Sequence, residues 1–335
     1  MPPPNPVFMG SAGGVSPALW QVAMNPGRAA LFAFLLLPPA AFAQNKTENV
    51  TVTGQAPQTR DEIMRGFIHS YAAPSMLTGK LARWTTPICP LVIGLPPEQK
   101  SAVIARINKD AMSVGAPALE GKTCKPNITI AFAPDPQGLM TKITHHWSVA
   151  RSTLGDIDGP MHARKVSQIS APIQAWYTTT TKGRGDLPGS WEVPWPDVTG
   201  LCGPSTPCFV GQASRLNDGI QSVFSNVFVV VDMGKIDGRN TGTIADYVAM
   251  LALSQTDAFA TCRNMPSITN LLIPDCDASL KTAALSDADL AFLRGVYKTL
   301  GGDNLNLEMG DIFREMDKSL ANKDLKAATP ATAPK

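Results

Sequence analysis

The sequence predicts an α+β fold, and three stretches carry that expectation. Val227-Phe228-Val229-Val230-Val231-Asp232 is a near-continuous β-branched and aromatic run, the pattern of a buried strand. After a turn supplied by Gly234, Gly238 and Gly242, residues 243–254 place Ile244, Val248 and Leu251 at helical spacing behind Thr243 as N-cap, so a core-facing helix follows the strand. Upstream, an extended segment over 81–92 leads to Pro96-Pro97, which suit a helix's first turn. Ala102, Ile104, Ile107 and Met112 carry that helix to Gly115, and Asn127 to Phe132 reads as a second strand. A strand, helix, strand unit of this kind makes its two strands parallel. Residues 287–299, with Leu290, Leu293 and Tyr297 on one face and Gly301-Gly302 behind, add a closing helix.

The central strand and helix resemble the zincin metallopeptidases, in particular the metzincin type. In that family the helix bears H-E-x-x-H, two imidazoles on one face with a Glu general base beside the first. Asp246 stands here at the first His, Tyr247 at the Glu and Met250 at the second His; the third ligand falls on Thr256. Pro266-Ser267-Ile268-Thr269-Asn270 is similar to the family's Met-turn with Thr269 in place of Met, and residues 285–297 to the helix that packs below the site. Residues 80–135 are similar to its N-terminal half, where a backing helix crosses the sheet. The resemblance implies a zincin-like fold: a twisted mixed sheet with a backing helix, a central, formerly active-site helix and a C-terminal helix. It implies no zinc. The Met250 thioether suits Cu(I), Tyr247 is no base near neutral pH, and Asp246 alone does not make the four-ligand set that zinc requires. The expectation is a pseudo-metallopeptidase with no cofactor.

Composition narrows the partners. The 335 residues are 44% hydrophobic and 17% charged, enough for one large core or two modest ones, and the formal charge is +2. That balance gives no electrostatic case for nucleic acid or for an anionic membrane surface. Ala29 to Leu37 is a short apolar run behind Arg28, followed by Ala41-Phe42-Ala43, the layout of a cleaved secretory signal. Residues 1–23 are then expected to precede the true start at Met24, residues 24–43 to be the signal peptide, and cleavage after Ala43 to leave Gln44 first. No later run of about 18 apolar residues suggests a membrane span. The product is expected to be exported, to the periplasm or beyond. Six cysteines, Cys89, Cys124, Cys202, Cys208, Cys262 and Cys276, fit an oxidising compartment. Many connectivities are open; pairing sequence neighbours gives Cys89 with Cys124, Cys202 with Cys208, and Cys262 with Cys276.

The rest of the chain divides around that framework. Residues 44–79 read as a lead segment containing a helical pattern at 60–70, residues 80–316 as one domain with an insertion at about 134–226, and residues 317–335 as a disordered tail. Within the insertion, Gln137 to Trp147 is weakly helical, Ile173 to Thr181 has strand content, and residues 209–224 look amphipathic. His145 and His146 are adjacent and point in different directions on a helix or a strand; with His162 they are candidates for a replacement site. Trp191 and Trp195, held extended by Pro194 and Pro196, are candidates for presenting rings to a peptide or glycan, against the alternative that they cap the core. Arg184-Gly185-Asp186 is read as chance in a Gly-rich loop. No nucleophile elbow, P-loop or dinucleotide fingerprint occurs.

Three functions remain. The first is a non-catalytic exported protein on a degenerate metallopeptidase scaffold, binding a peptide, envelope component or protein partner through the former cleft. The second is an active hydrolase whose groups come from the insertion; it requires a His or carboxylate from 134–226 to reach the face bearing Asp246 and Met250. The third is a structural envelope protein without a cleft, which a core-packed Tyr247 and Met250 would favour.

Overall fold

The computed structural model describes residues 58–75, 78–119, 123–145, 167–183, 191–192, 209–210, 219–299 and 304–328. Helix α1 (Arg60–Tyr71) opens with a reciprocal cap in which Thr59 and Glu62 satisfy each other's backbone N–H. Its Met64, Phe67, Ile68 and Tyr71 recur at helical spacing and are all buried. α1 was expected within a lead segment; it belongs instead to the core, where Phe67, Tyr71 and Phe292 pack ring against ring at 5.0–6.3 Å.

Strand β1 (Pro90–Ile93), helix α2 (Pro97–Val114) and strand β2 (Ile128–Ala133) form the expected crossover. β1 and β2 are parallel, in register from Pro90 opposite Ile128 to Ile93 opposite Ala131. Pro97 starts α2 where a missing N–H costs nothing, and Gly115, at φ 84°, ends it in the left-handed region. The helix is rotated from its expected phase: Val103, Ile107, Asp110, Ala111 and Val114 face inward, whereas Met112 is exposed. Helix α3 (Pro136–His145) follows β2 directly.

Strand β3 (Ile173–Gly183) and strand β6 (Ile220–Asp232) form the antiparallel half of the sheet, and β4 (Trp191–Glu192) with β5 (Phe209–Val210) makes a separate two-stranded ladder. The main sheet is four-stranded and mixed, in the order β1-β2-β6-β3. Residues 220–224, expected as part of an amphipathic stretch, are strand because they pair with Thr179 to Gly183 of β3. That ladder outweighs a local pattern that would suit either state.

Helix α4 (Thr241–Leu253) follows β6; its cap is Asn240, whose side chain accepts from the Gly242 N–H, rather than Thr243. Two 3₁₀ turns (Ile268–Leu272 and Ala278–Leu280), helix α5 (Asp287–Lys298) and helix α6 (Leu305–Ala328) complete the described chain. α6 runs through most of the segment expected to be a tail, because Ile312 and Met316 bury completely and Leu320 packs beside them. Arg83 fastens it: the guanidinium donates to Glu308 at 2.9 Å and to the Thr299 carbonyl at 2.5 Å, and the other Glu308 oxygen accepts from the Leu81 N–H.

The sheet separates two apolar clusters. Ile128, Ile130, Phe132, Val227, Val229 and Val231 face the large core built with α1, α2, α4, α5 and α6. The alternate residues Ala131, Trp176, Phe228 and Val230 face Met140 of α3. The molecule is thus an α+β protein with six helices among the described residues, none long and apolar enough to cross a membrane. The expected signal peptide, Cys202, Cys208, His146, His162, Trp195 and the Arg-Gly-Asp tripeptide lie outside the described residues.

Two of the expected disulfides are formed, Cys89–Cys124 and Cys262–Cys276, with Cα separations of 6.0 and 5.5 Å. Asn127 braces the first: its side chain accepts from the Cys89 N–H and donates to the Pro87 carbonyl. Closing 14 residues is worth about 3 kcal/mol by loop entropy and closing 35 about 4 kcal/mol. Urea denaturation of Cys89→Ser/Cys124→Ser and Cys262→Ser/Cys276→Ser is therefore expected to show lower midpoints for both, with the larger loss in the first.

Candidate functional site

The motif-like positions lie on α4 and on the loop beneath it. α4 is buried without interruption from Ile244 to Leu253, so it presents no side to solvent. Tyr247 is 1% exposed and Met250 is 0%, both within the main core. The end of the helix is enclosed as well. Its last carbonyls, which normally require water or a cap, are taken one by one. Ser254 donates to Met250, Tyr177 to Leu251, the Trp84 indole to Ala252 and Tyr297 to Leu253, at 2.7–3.0 Å.

Beneath α4, Thr256, just past the helix end, and Thr269, inside the disulfide-clipped Cys262–Cys276 loop, take two roles. Thr256 Oγ1 accepts from Arg263, whose buried guanidinium also donates to the Thr261 and Ala258 carbonyls and lies 4.4 Å from the centre of the Tyr71 ring. Thr269 belongs to a hydroxyl cluster. Tyr71 OH is 2.6 Å from both Ser267 Oγ and Thr269 Oγ1, and Ser267 Oγ donates to Asp289 Oδ1 at 2.7 Å. The second Asp289 oxygen accepts from the Ile268 and Ser286 N–H groups, while Tyr247 OH reaches the Thr269 carbonyl at 3.4 Å. Burial pushes the Asp289 carboxyl and the Tyr71 phenol up from their ordinary ranges; the hydrogen bonds from Ile268 and Ser267 oppose this at Asp289. A serine beside a carboxylate has the vocabulary of acyl transfer. Here Ser267 and Asp289 are both 0% exposed with no imidazole between them, so the cluster fixes the loop under α4.

Asp246 points the other way, toward α2. Arg106 clasps it bidentately, Nε to Oδ1 at 2.5 Å and Nη2 to Oδ2 at 2.8 Å, and the Leu285 N–H donates to Oδ2 at 3.3 Å. Asp110, one turn along α2, is 3.6 Å from the same guanidinium. Asp246 is thus a hydrogen-bond acceptor for Arg106 and Leu285. Among the described residues no three of His, Cys, Asp or Glu converge as a metal set.

The insertion meets α4 through Tyr177 of β3, but its described His does not reach the face bearing Asp246. His145 is exposed at the end of α3, on the opposite side of the sheet from α4. A recess of about 310 Å³ does open on the α3 side, at the carboxyl ends of β1 and β2, lined among others by Ile93, Phe132, Pro134, Leu139 and Lys142. Sequence reasoning reached Asp246 and Thr269 through their motif positions and missed Arg106, Asp110, Tyr71 and Asp289. For Asp110 the signal was present: it occupies an inward position in the Val103, Ile107, Val114 stripe.

No protein-family model, curated protein or solved structure matches the chain.

The hydroxyl cluster makes a graded expectation. Tyr71→Phe removes a phenol with two 2.6 Å neighbours and is expected to cost about 1–2 kcal/mol in urea denaturation. Tyr247→Phe, which removes one 3.4 Å contact, should cost less than about 0.5 kcal/mol.

Proposed function

We propose that this chain is a non-catalytic exported protein on a zincin-like scaffold whose zinc site and cleft have been converted into core, and that it serves the cell envelope as a structural or partner-binding component. The observation that carries the reading is the complete burial of Tyr247 and Met250. Side chains at those positions meet neighbouring core residues on every side, so a peptide has no route to them.

The scaffold half of the reading rests on element order. A parallel crossover with a backing helix, a central helix directly after the inner strand, a clipped loop against that helix and a closing helix below it all agree with what the resemblance implies. Export is supported by the two disulfides together with the signal-like N-terminal pattern. The former cleft is not the binding surface in this reading. A peptide or envelope-protein partner would have to engage another face, and the open end of β1, where Leu91 and Ile93 are each 41% exposed, offers apolar area for it. The hydrolase alternative draws no support from the described part of the insertion, because its His145 sits across the sheet from α4.

Metal analysis tests the reading. Protein purified from the periplasmic fraction and dialysed against trace zinc is expected to retain well under one zinc per chain while staying folded by circular dichroism. Stoichiometric zinc that survives dialysis would overturn it and direct mutagenesis to His145, His146 and His162.

A further inference from the structure

One polar group in the α2–α4 contact is left without a partner. Asp110 is 7% exposed, and its Oδ2 is buried with no hydrogen bond. It shares one guanidinium nitrogen with a second carboxylate: Arg106 Nε lies 3.6 Å from Asp110 Oδ1 and 2.5 Å from Asp246 Oδ1, so the two acids sit side by side on one cation. Arg106 cannot serve both acids equally, since its fork is already spent on the two oxygens of Asp246. Two buried carboxylates beside a single cation leave an excess negative charge in a place where charge is poorly solvated. A proton removes the excess. It also turns one Asp110 oxygen into a donor, and the acceptor at hand is Asp246.

We propose that Asp110 and Asp246 share one proton, and that this proton is a removable fastener between α2 and α4. With it, the acid pair is hydrogen-bonded and Arg106 balances the remaining charge. Without it, two carboxylates compete for one guanidinium, and the contacts that depend on Asp246, including the Leu285 N–H that leads into α5, weaken. The proton has a way out, because the Arg106 side chain is 38% exposed and lies over the pair.

The surrounding charges do not supply an alternative counter-ion. On α2, Glu98 and Lys100 lie in the first turn, well away along the helix, and Arg106 and Lys109 pull the Asp110 carboxyl down less than burial and Asp246 push it up. β1 has no ionisable residue. On α5, Arg294 contacts the Ser113 carbonyl farther along α2, Asp289 is held in the Ser267 cluster, and Lys298 pairs with Glu315; Asp287 adds a further negative charge at the start of that helix. α4 contributes only Asp246 and the oppositely facing Tyr247. The balance places the Asp110 carboxyl at about 7.

The sign follows from linkage. A carboxyl whose folded value lies above its unfolded one, about 4, binds its proton more tightly when folded. Stability is then fully present in acid and is lost as pH rises toward about 7, after which it levels. The folding constant, corrected for the global trend by comparison with Asp110→Asn, is expected to fall on the order of tenfold between about pH 5.5 and pH 8. Asp110→Asn keeps a donor toward Asp246 and has no proton to lose, so its curve should be flatter by that amount. In parallel, the Asp110 side-chain carbon in ¹³C NMR of the wild-type chain should titrate near 7, and amide exchange at Leu285, corrected for intrinsic rate, should accelerate over the same range. Parallel stability curves for wild type and Asp110→Asn, or an Asp110 titration near 4, would overturn the proposal. If the variant fails to fold, the wild-type NMR titration decides it alone.

Discussion

A helix that is apolar on every side has to be enclosed on every side, and the position of nearly every other element follows from that requirement in α4. The sheet covers one flank, α2 another, and α5 with the disulfide-clipped loop the rest. Enclosure extends to its C-terminal carbonyls, which in a buried setting would each carry a desolvation penalty if left unpaired. Tyr177 from β3, Trp84 from the segment before β1 and Tyr297 from α5 answer three of them, so the end of α4 fixes where three distant parts of the chain must meet. Such a helix has no exposed side left for catalysis.

Polar residues remain inside this arrangement, and they fall into two groups of different character. Asp289, Ser267, Thr269 and Tyr71 form a closed network whose oxygens are satisfied internally, a set that specifies one loop conformation. The buried Arg263 extends the network by direct hydrogen bonds to the loop carbonyls and by its contact with the Tyr71 ring. Asp246, Arg106 and Asp110 form an open one, with one acid more than cations and one edge toward solvent. Arg83 with Glu308 is the balanced counterpart: one cation, one acid, both buried, with Thr299 and Leu81 adding further hydrogen bonds. Removing either partner of a buried pair of that kind leaves an uncompensated charge.

Much of the framework was legible along the chain. The Val227–Asp232 run, the Pro97-to-Gly115 helix and the 287–298 helix were readable because their patterns are local: continuous β-branching, a Pro start with a Gly stop, and a Ser286 cap before an apolar stripe. The disulfides were readable because each joins neighbours in sequence. The phase of α2 was not. Ala102, Ile104 and Met112 are as apolar as Val103 and Val114, and only the position of α4 decides which set turns inward. Residues 220–224 likewise carry no local mark separating strand from helix; the partner strand is some 40 residues upstream. α6 carries no local mark either: Ile312, Met316 and Leu320 join the main core within a polar, Ala-rich stretch.

The candidate site divides along the same line. From sequence alone, the resemblance to zincins assigned Asp246, Tyr247, Met250 and Thr256 to base and ligand positions, and of these only Asp246 is an ordinary zinc-ligand type. Tertiary structure decided where these side chains point and what they meet: Met250 into apolar core, Tyr247 onto the Thr269 carbonyl, Thr256 against Arg263, and Asp246 against a guanidinium and a second acid from α2. The partner that decides the Asp246 carboxylate, Arg106, is 140 residues away in sequence, and the two meet only when the helices pack.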